Sequence, residues 1–208
     1  MKKRLLSAIL FLSFCLVGLW AKEDIRIINP VLPGDRPDPS IIKIDGVYWA
    51  AATSNEWSPL FPIFKSKDMQ NWELVNYVFP GGAPEWALNN FWAPELSYDE
   101  KQKKVYLYYT ARVKSSNRLA CAVAVADSPM GEFTDLGPLV AQEPGSIDAF
   151  EMRDENGKLY LLWKEDGNSM GLPTHMWAQQ MTEDRTRLTG EMHSLFYNDT
   201  PWEEGLVE

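Results

Sequence analysis

The chain has 208 residues, of which 45% are hydrophobic and 12% aromatic, and it carries a formal charge of −9. This length and hydrophobic content are sufficient for one large or two small domains with a real core. The acidic charge argues against nucleic acid as a partner, because binding to phosphates requires a basic surface.

Residues 1–21 have the pattern of a secretory signal peptide. Three basic residues at positions 2–4 precede an apolar run that is short for a membrane span. We expect cleavage after Ala21, a secreted or periplasmic mature protein, and no association with a membrane after cleavage. An uncleaved membrane anchor is the alternative.

From Asn29 onward the sequence predicts β-structure throughout. Short apolar or alternating runs are separated by Gly, Pro, Asn and Asp; examples are VYWAAAT, KVYLYYTA, LACAVAVA and KLYLLWKE. No segment has the apolar stripe of a three-turn amphipathic helix. The predicted class is therefore all-β. Cys121 lies in one of these runs and is predicted to be a buried strand thiol without an intrachain disulfide partner.

One arrangement recurs three times along the chain. Each unit combines an acidic residue, an apolar run, a polar turn and a strand built around a tyrosine, namely Tyr48, Tyr106 or Tyr160, and a further strand follows. A unit of about 50–60 residues with about four short strands has the size of a propeller blade. A β-sandwich is the alternative, but it does not predict similar hairpins at a regular period.

The repeat carries acidic residues at similar positions. Asp38, Glu95 and Asp148 precede the three tyrosines by 10, 11 and 12 residues, and one further step reaches Glu208. Equivalent positions on the first strands of propeller blades surround the central axis, so we expect these carboxylates to converge on one pocket. Acids are also common turn residues. Four of them in one register instead indicate metal binding or acid–base chemistry, because bringing like charges together costs energy.

Motifs for several other chemistries are absent from the sequence. Two histidines without HExxH or CxxC argue against zinc, and there is no G-x-S-x-G and no Gly-rich phosphate loop. The DENG stretch at 154–157 is interpreted as a hairpin turn and not as a calcium loop.

Glycoside hydrolysis fits the carboxylates that remain. One carboxylic acid protonates the leaving oxygen, a second acts as base or nucleophile, and a third negative charge raises the pKa of the acid. Sugar sites also use aromatic platforms, for which Phe91 and Trp92 beside Glu95 are candidates. A core position between blades is the alternative for Trp92.

Four motifs together resemble glycoside hydrolase family 43. They extend from about Asn29 to the last residue, and they are NPVLPGDRPDPS, NNFWAPEL, GSIDAFEMRDENGKLYLLW and GLVE. The resemblance implies a five-bladed β-propeller, of which residues 22–208 would supply about three blades and the start of a fourth. It also implies hydrolysis of arabinofuranosides or xylosides, as found in arabinan and xylan. No cofactor is expected, although the resemblance allows a calcium ion near the axis of the full-length protein.

The resemblance assigns roles position by position. Asp38 matches the general base that activates water, Asp148 the acid that tunes the pKa of the proton donor, and Glu208 the proton donor itself. The implied mechanism inverts the anomeric configuration. We expect Phe91, Trp92 and Glu95 to line the substrate-binding site without a catalytic role. We expect no metal ion at this site.

Two other functions remain open. A non-catalytic propeller would bind carbohydrate without turnover. A fructoside-cleaving five-bladed propeller would show N-D-P-N, R-D-P and E-C motifs, which RPDPS, MRDEN and the final Glu208 do not match. Because three blades and the start of a fourth do not close a ring, we expect the chain to be an N-terminal fragment that is inactive by itself.

Overall fold

The computed structural model describes residues 27–202, so the predicted signal peptide, Glu208 and the predicted start of a fourth blade lie outside the described residues. This range contains twelve strands and one turn of 3-10 helix at Asn168–Met170. The strands are β1 (Ser40–Ile44), β2 (Val47–Ala51), β3 (Leu60–Ser66), β4 (Glu73–Phe79), β5 (Trp92–Asp99), β6 (Lys104–Arg112), β7 (Leu119–Ala126), β8 (Thr134–Val140), β9 (Ser146–Arg153), β10 (Leu159–Glu165), β11 (His175–Met181) and β12 (Leu188–Tyr197). Between residues 27 and 202, no helix is long and apolar enough to cross a membrane.

The strands form three antiparallel sheets of four consecutive strands each, β1–β4, β5–β8 and β9–β12. We call these sheets blades 1, 2 and 3. The three repeat tyrosines all lie on the second strand of their blade, Tyr48 on β2, Tyr106 on β6 and Tyr160 on β10. The all-β class and the four-stranded repeat predicted from the sequence are therefore confirmed.

The burial of each strand reflects the position of its blade. In blade 2, β6 and β7 are buried along almost their whole length, and Cys121 on β7 is a buried free thiol, as predicted. A strand that is covered on both faces requires an apolar run instead of an alternating pattern, which LACAVAVA provides. In contrast, β1 alternates in burial and most of β12 is exposed.

Blade 2 contributes to two hydrophobic cores, one on each face. Tyr109 packs with Phe61 and Phe79 of blade 1, at ring-centroid distances of 5.3 and 5.4 Å. Its neighbour Tyr108 packs in the second core, which includes Trp163 of blade 3. Successive residues of a strand point to opposite faces, so one tyrosine pair on β6 connects blade 2 to both of its neighbours.

A buried ionic network connects blade 2 to the turn between β11 and β12 of blade 3. Arg185 in this turn is fully buried. Its Nε donates to Glu151 Oε2 on β9 at 2.9 Å, and its Nη2 lies 2.7 Å from Oδ2 of Asp99, the last residue of β5. The guanidinium also lies 4.3 Å from the centroid of the Tyr106 ring. The turn between β11 and β12 is thus held in place by two carboxylates and by the face of an aromatic ring.

Pairing keeps these buried groups charged. Burial opposes ionisation of Glu151, but hydrogen bonds from Arg185, Ser97 and Tyr108 outweigh it and lower the pKa of Glu151 below its ordinary value of 4.5. Burial likewise opposes ionisation of Asp99, and backbone N–H groups together with Arg185 lower the pKa of Asp99 below 3.8. For Arg185, burial is outweighed by the two carboxylates, which raise its pKa.

Replacing Arg185 by Leu should destabilise the protein strongly. The substitution leaves two buried carboxylates without their cation, which costs about 3–5 kcal/mol of unfolding free energy in comparable buried pairs. Urea unfolding followed by tryptophan fluorescence measures this change. Lys103→Met is the control: it removes the exposed Lys103–Glu100 pair and should leave the unfolding midpoint where it is. Equal midpoints for both variants would contradict the structural importance of Arg185.

The same network predicts a dependence of stability on pH. A carboxyl group whose pKa is depressed by folding stabilises the protein above its unfolded pKa, and this contribution is lost as pH falls through the folded pKa. Stability should therefore decline as the pH falls below about 4.5. In Glu151→Gln the decline should be shallower, because one of the titrating groups is gone. The comparison requires urea unfolding at a series of acidic pH values, and parallel curves for the two proteins would exclude this role of Glu151.

Candidate active site

The innermost strands of the three blades begin in the same way. Asp38 lies two residues before β1, Ala93 is the second residue of β5 and Asp148 is the third residue of β9. All three have left-handed φ angles, of 50°, 38° and 56°. The pairing register shifts at this point in β5 and in β9. Such a bulge redirects a side chain away from the pleat of its sheet. The three positions line one and the same cavity.

Hydrogen bonds between adjacent blades confirm that these positions are equivalent. The backbone N–H of Ala93 in blade 2 donates to Thr53 Oγ1 of blade 1 at 2.7 Å. The N–H of Asp148 in blade 3 donates to Thr110 Oγ1 of blade 2 at 3.2 Å. In blades 1 and 2, a threonine hydroxyl therefore accepts a backbone N–H from near the start of the next inner strand.

The structure corrects the register predicted for Glu95. Ala93, not Glu95, is the blade 2 counterpart of Asp38 and Asp148, and the steps between the three positions are 55 and 55 residues. The expectation that all these carboxylates take equivalent positions is therefore wrong for Glu95. The reason is that the residue with a left-handed φ before the proline is Asp38 in RPDPS and Ala93 in WAPE, so Glu95 lies two residues beyond the equivalent position.

Glu95 nevertheless lies at the same centre. It lines a cavity of about 680 Å³ together with Asp38 and Asp148. Burial raises the pKa of Glu95, and a hydrogen bond with Ser40 partly offsets this shift. Glu95 is thus a partly desolvated carboxyl group. It lies two residues beyond Ala93, which is the counterpart of the two aspartates in blade 2.

A second cavity of about 450 Å³ adjoins the first and shares Asp38, Ala93 and Asp148 with it. Its wall is formed by the first residues of the inner strands and by the loops that follow the second strands of blades 1 and 3. The lining residues outside the shared three are Pro37, Thr53, Asn55, Trp92, Ile147, Asp166, Asn168 and Ser169. This combination of carboxylates, an indole ring and small polar groups is suited to a hydroxyl-rich ligand.

Asp38 is oriented by a buried hydroxyl group. Thr53 Oγ1 donates to Asp38 Oδ2 at 2.6 Å and accepts the N–H of Ala93 at 2.7 Å. Because the accepting side of this hydroxyl is occupied by the backbone, its single proton is directed at the carboxylate. The Asp38 side chain is otherwise exposed to the cavity, so it is both fixed and accessible.

Trp92 lies in the cavity wall, as expected from the sequence, and not in the core between blades. Its Nε1 donates to Asn55 Oδ1 at 2.8 Å. This bond fixes the plane of the indole ring, which is half-buried. A ring held in this way is a suitable platform for the apolar face of a sugar.

Phe91 differs from its expected place. Its side chain is only 3% exposed, belongs to the core between blades 1 and 2, and packs edge-on against Phe61 at 6.2 Å. The predicted role of Phe91 in lining the substrate is therefore corrected to a core role. Adjacent residues of an extended chain point in opposite directions, so only one of Phe91 and Trp92 can face the cavity.

Sequence reasoning missed the polar residues that follow the second strands. Thr53 and Asn55 follow β2, and Asp166 and Asn168 follow β10. Gly167 allows the latter loop to fold tightly, since a Cβ atom there would lie 2.3 Å from the carbonyl oxygen of Pro173. A signal was present, because clusters of small polar residues (ATSN and DGNS) occur at this same point of two repeats.

The described residues test neither the predicted proton donor nor the expectation that the site holds no metal ion. Glu208 lies outside the described range. Among residues 27–202, no group of three or more His, Cys, Asp or Glu side chains is placed to hold a metal ion. The calcium ion that the family resemblance allows stays an expectation for the full-length protein.

Known proteins resemble this chain in sequence. A β-xylosidase of Bacillus subtilis (strain 168) is 31% identical over 186 residues, which cover 82% of this chain and 33% of that protein. The xylosidase/arabinosidase 43B of Humicola insolens is 30% identical over 149 residues, covering 66% of this chain and 27% of that protein. The chain thus spans about a third of the length of these curated relatives.

Solved structures share the fold. A thermostable family-43 glycoside hydrolase superimposes with a TM-score of 0.72 at 26% identity, covering 85% of this chain and 58% of that one. The endo-arabinase of Bacteroides thetaiotaomicron VPI-5482 gives a TM-score of 0.67 at 25% identity, with coverage of 82% and 59%. These neighbours are five-bladed propellers, so the three sheets described above are blades of that fold.

The sequence model of the glycosyl hydrolases family 43 matches residues 27–207, which is nearly the whole chain after the predicted signal peptide. This match agrees with the four-stranded blades. The chain belongs to glycoside hydrolase family 43.

Proposed function

We propose that the full-length protein containing this chain hydrolyses O-glycosidic bonds of xylosides or arabinofuranosides with inversion. The observation that supports this most directly is the placement of Asp38 and Asp148 at equivalent positions of two blades, on one cavity that Trp92 also lines. Two carboxylates around a space for sugar and water are what this chemistry needs.

In this proposal Asp38 is the general base. Its carboxylate faces the cavity and is held by the hydroxyl of Thr53. It takes a proton from a water molecule as that water attacks the anomeric carbon, and the bond to the leaving oxygen breaks on the opposite side of the ring. Orientation of the base by a neighbour outside the reaction reduces the entropy lost in the transition state.

Asp148 acts on the proton donor and not on the water. Its negative charge favours the protonated form of a nearby carboxylic acid, which raises the pKa of that acid towards neutrality. Glu208 is assigned as the donor on the basis of the family motif alone, since it lies outside the described residues. Trp92 supplies the stacking surface, and Glu95 contributes to the wall of the adjoining cavity.

The proposed substrate class is based on the names of similar proteins. Two relatives are called β-xylosidase and xylosidase/arabinosidase, and one structural neighbour is an endo-arabinase. Pentosides of xylan or arabinan are therefore the proposed substrates. Export from the cytoplasm is part of the same proposal, because residues 1–21 have a signal-like sequence and such polysaccharides are met outside the cell.

Asp38→Asn should abolish most of the activity of the full-length protein. Loss of a general base lowers kcat by about 10²–10⁴-fold, whereas binding of xylotriose or arabinotriose should persist. The measurement is release of 4-nitrophenol from aryl β-xyloside and aryl α-arabinofuranoside, with proton NMR to identify the first anomer formed. A wild-type protein that binds these sugars without turnover would instead support the non-catalytic propeller.

Thr53→Val should lower kcat more than it changes KM. The substitution removes the hydroxyl that orients Asp38, and a misplaced catalytic group costs up to about 100-fold. Thr53→Ser keeps a hydroxyl at this position and should recover most of the rate. Steady-state kinetics of the two variants decides the matter: if serine and valine are equally slow, the hydroxyl has no role in positioning.

A further inference from the structure

Glu95 is a carboxyl group of the catalytic cavity that the proposed mechanism does not use. It lines the cavity of about 680 Å³ together with Asp38 and Asp148. Its side chain is half-buried, although glutamate is among the residues that are most often exposed. A carboxyl group held inside a cleft beside catalytic groups is a candidate for a role in the reaction.

Ser40 connects Glu95 to the segment that carries Asp38. Ser40 is the first residue of β1, and its Oγ accepts the N–H of Leu96 in blade 2 at 3.0 Å. Because the backbone occupies the accepting side of this hydroxyl, its single proton is available to Glu95, with which Ser40 forms a hydrogen bond. The arrangement repeats the one at Thr53, whose hydroxyl accepts a backbone N–H of the same strand and donates to Asp38. Both carboxyl groups are thus held by a hydroxyl group of blade 1.

This connection places Glu95 close to Asp38. Asp38 precedes Ser40 by two residues, and two residues of chain span at most about 7 Å. The hydroxyl that binds Glu95 therefore belongs to a residue in the immediate vicinity of the base. Charges at such separations interact, and salt screens this interaction less when the groups are partly buried.

The cavity contains negative groups and no cation that would neutralise them. Among the described residues that line it, the titratable ones are Asp38, Glu95 and Asp148, and none is Lys, Arg or His. Tyr108, which pairs with Glu95 between β5 and β6, is uncharged, because burial and Glu151 raise its pKa well above 10. Burial also raises the pKa of Glu95 above its ordinary value of 4.5, so Glu95 becomes charged at a higher pH than an exposed glutamate does.

The charged residues elsewhere on the neighbouring strands interact with other partners. The charged residues of β1, β5, β6 and β9 outside the cavity are Lys43, Asp99, Lys104, Arg112, Glu151 and Arg153, and each has an ion pair, a hydrogen bond or a ring contact. The electrostatic field between Asp38 and Glu95 therefore comes mainly from the carboxylates of the cavity itself.

We propose that Glu95 tunes the catalytic base: its negative charge increases the affinity of Asp38 for the proton of the attacking water. This inference rests on the proposed function, in which Asp148 has the corresponding effect on the proton donor. A like charge nearby favours the protonated form of a carboxyl group, and a stronger base accepts a proton more readily in the transition state. The reaction should therefore be fastest when both Asp38 and Glu95 are ionised.

The test is the pH dependence of kcat/KM for hydrolysis of aryl β-xyloside and aryl α-arabinofuranoside by the full-length protein. In wild type, the rise on the acid side should contain two ionisations, which belong to the coupled pair of Asp38 and Glu95. In Glu95→Gln one ionisation should remain and the plateau should be about tenfold lower, with KM little changed. Glu95→Asp retains the charge and should retain both ionisations.

Two further variants separate tuning of the base from a loss of structure. Glu100→Gln makes the same substitution at the exposed turn that follows β5 and should leave the pH profile as in wild type. Thr53→Val should slow the reaction while both ionisations persist, because both carboxyl groups are still present. Two ionisations on the acid side of Glu95→Gln, or a shift confined to the alkaline side, would overturn the proposed effect on Asp38.

Carbon-13 NMR of the carboxyl groups tests the coupling without turnover. The resonance of Asp38 is identified by its loss in Asp38→Asn, and it should titrate in two steps in wild type and in one step in Glu95→Gln. One step in both proteins would overturn this inference and leave the glycosidase intact. If wild type shows two steps but cleaves neither glycoside, the interaction between the two carboxyl groups stands and the hydrolytic function fails.

Discussion

The arrangement of the centre depends on a hydrogen bond repeated between blades, in which a threonine hydroxyl of one blade accepts the N–H that begins the next inner strand. Thr53 accepts from Ala93, and Thr110 accepts from Asp148. A buried N–H without a partner is costly, so the residue that begins the strand must lie opposite the hydroxyl. This constraint sets the relative height of adjacent blades and brings their first residues to a common cavity.

The same inner strands are held at their other ends by charge. Asp99 ends β5, Glu151 lies on β9, and both bind the buried guanidinium of Arg185. Ser97 and Tyr108 add hydrogen bonds to Glu151 at 2.6 and 2.5 Å. Blades 2 and 3 are thus linked both where β9 begins, by the bond from Asp148 to Thr110, and at the opposite end, through Arg185.

A symmetrical frame carries an asymmetrical set of side chains. The three equivalent positions hold aspartate, alanine and aspartate. A third carboxylate at residue 93 would place another like charge beside Asp38 and Asp148, and like charges disfavour ionisation. Alanine there leaves room in the cavity, and Glu95 is displaced by two residues to the adjoining cavity. The loops after β2 and β10 then add polar side chains to the cavity wall, and loops are the segments that a repeat allows to vary.

The all-β class, the blade period, the buried Cys121 and the convergence of Asp38 and Asp148 on one cavity could be predicted from the sequence alone, because these depend on local alternation and on motifs within a few residues. Three features could be seen only in the folded chain: Ala93 and not Glu95 is the counterpart of the two aspartates, Phe91 is in the core, and Thr53 donates a hydrogen bond to Asp38. The buried Arg185 network also emerged only there. Each of these depends on a partner far along the chain, such as 53 with 93 or 99 with 185. Local pattern cannot indicate such partners, since blade-to-blade packing alone brings them together.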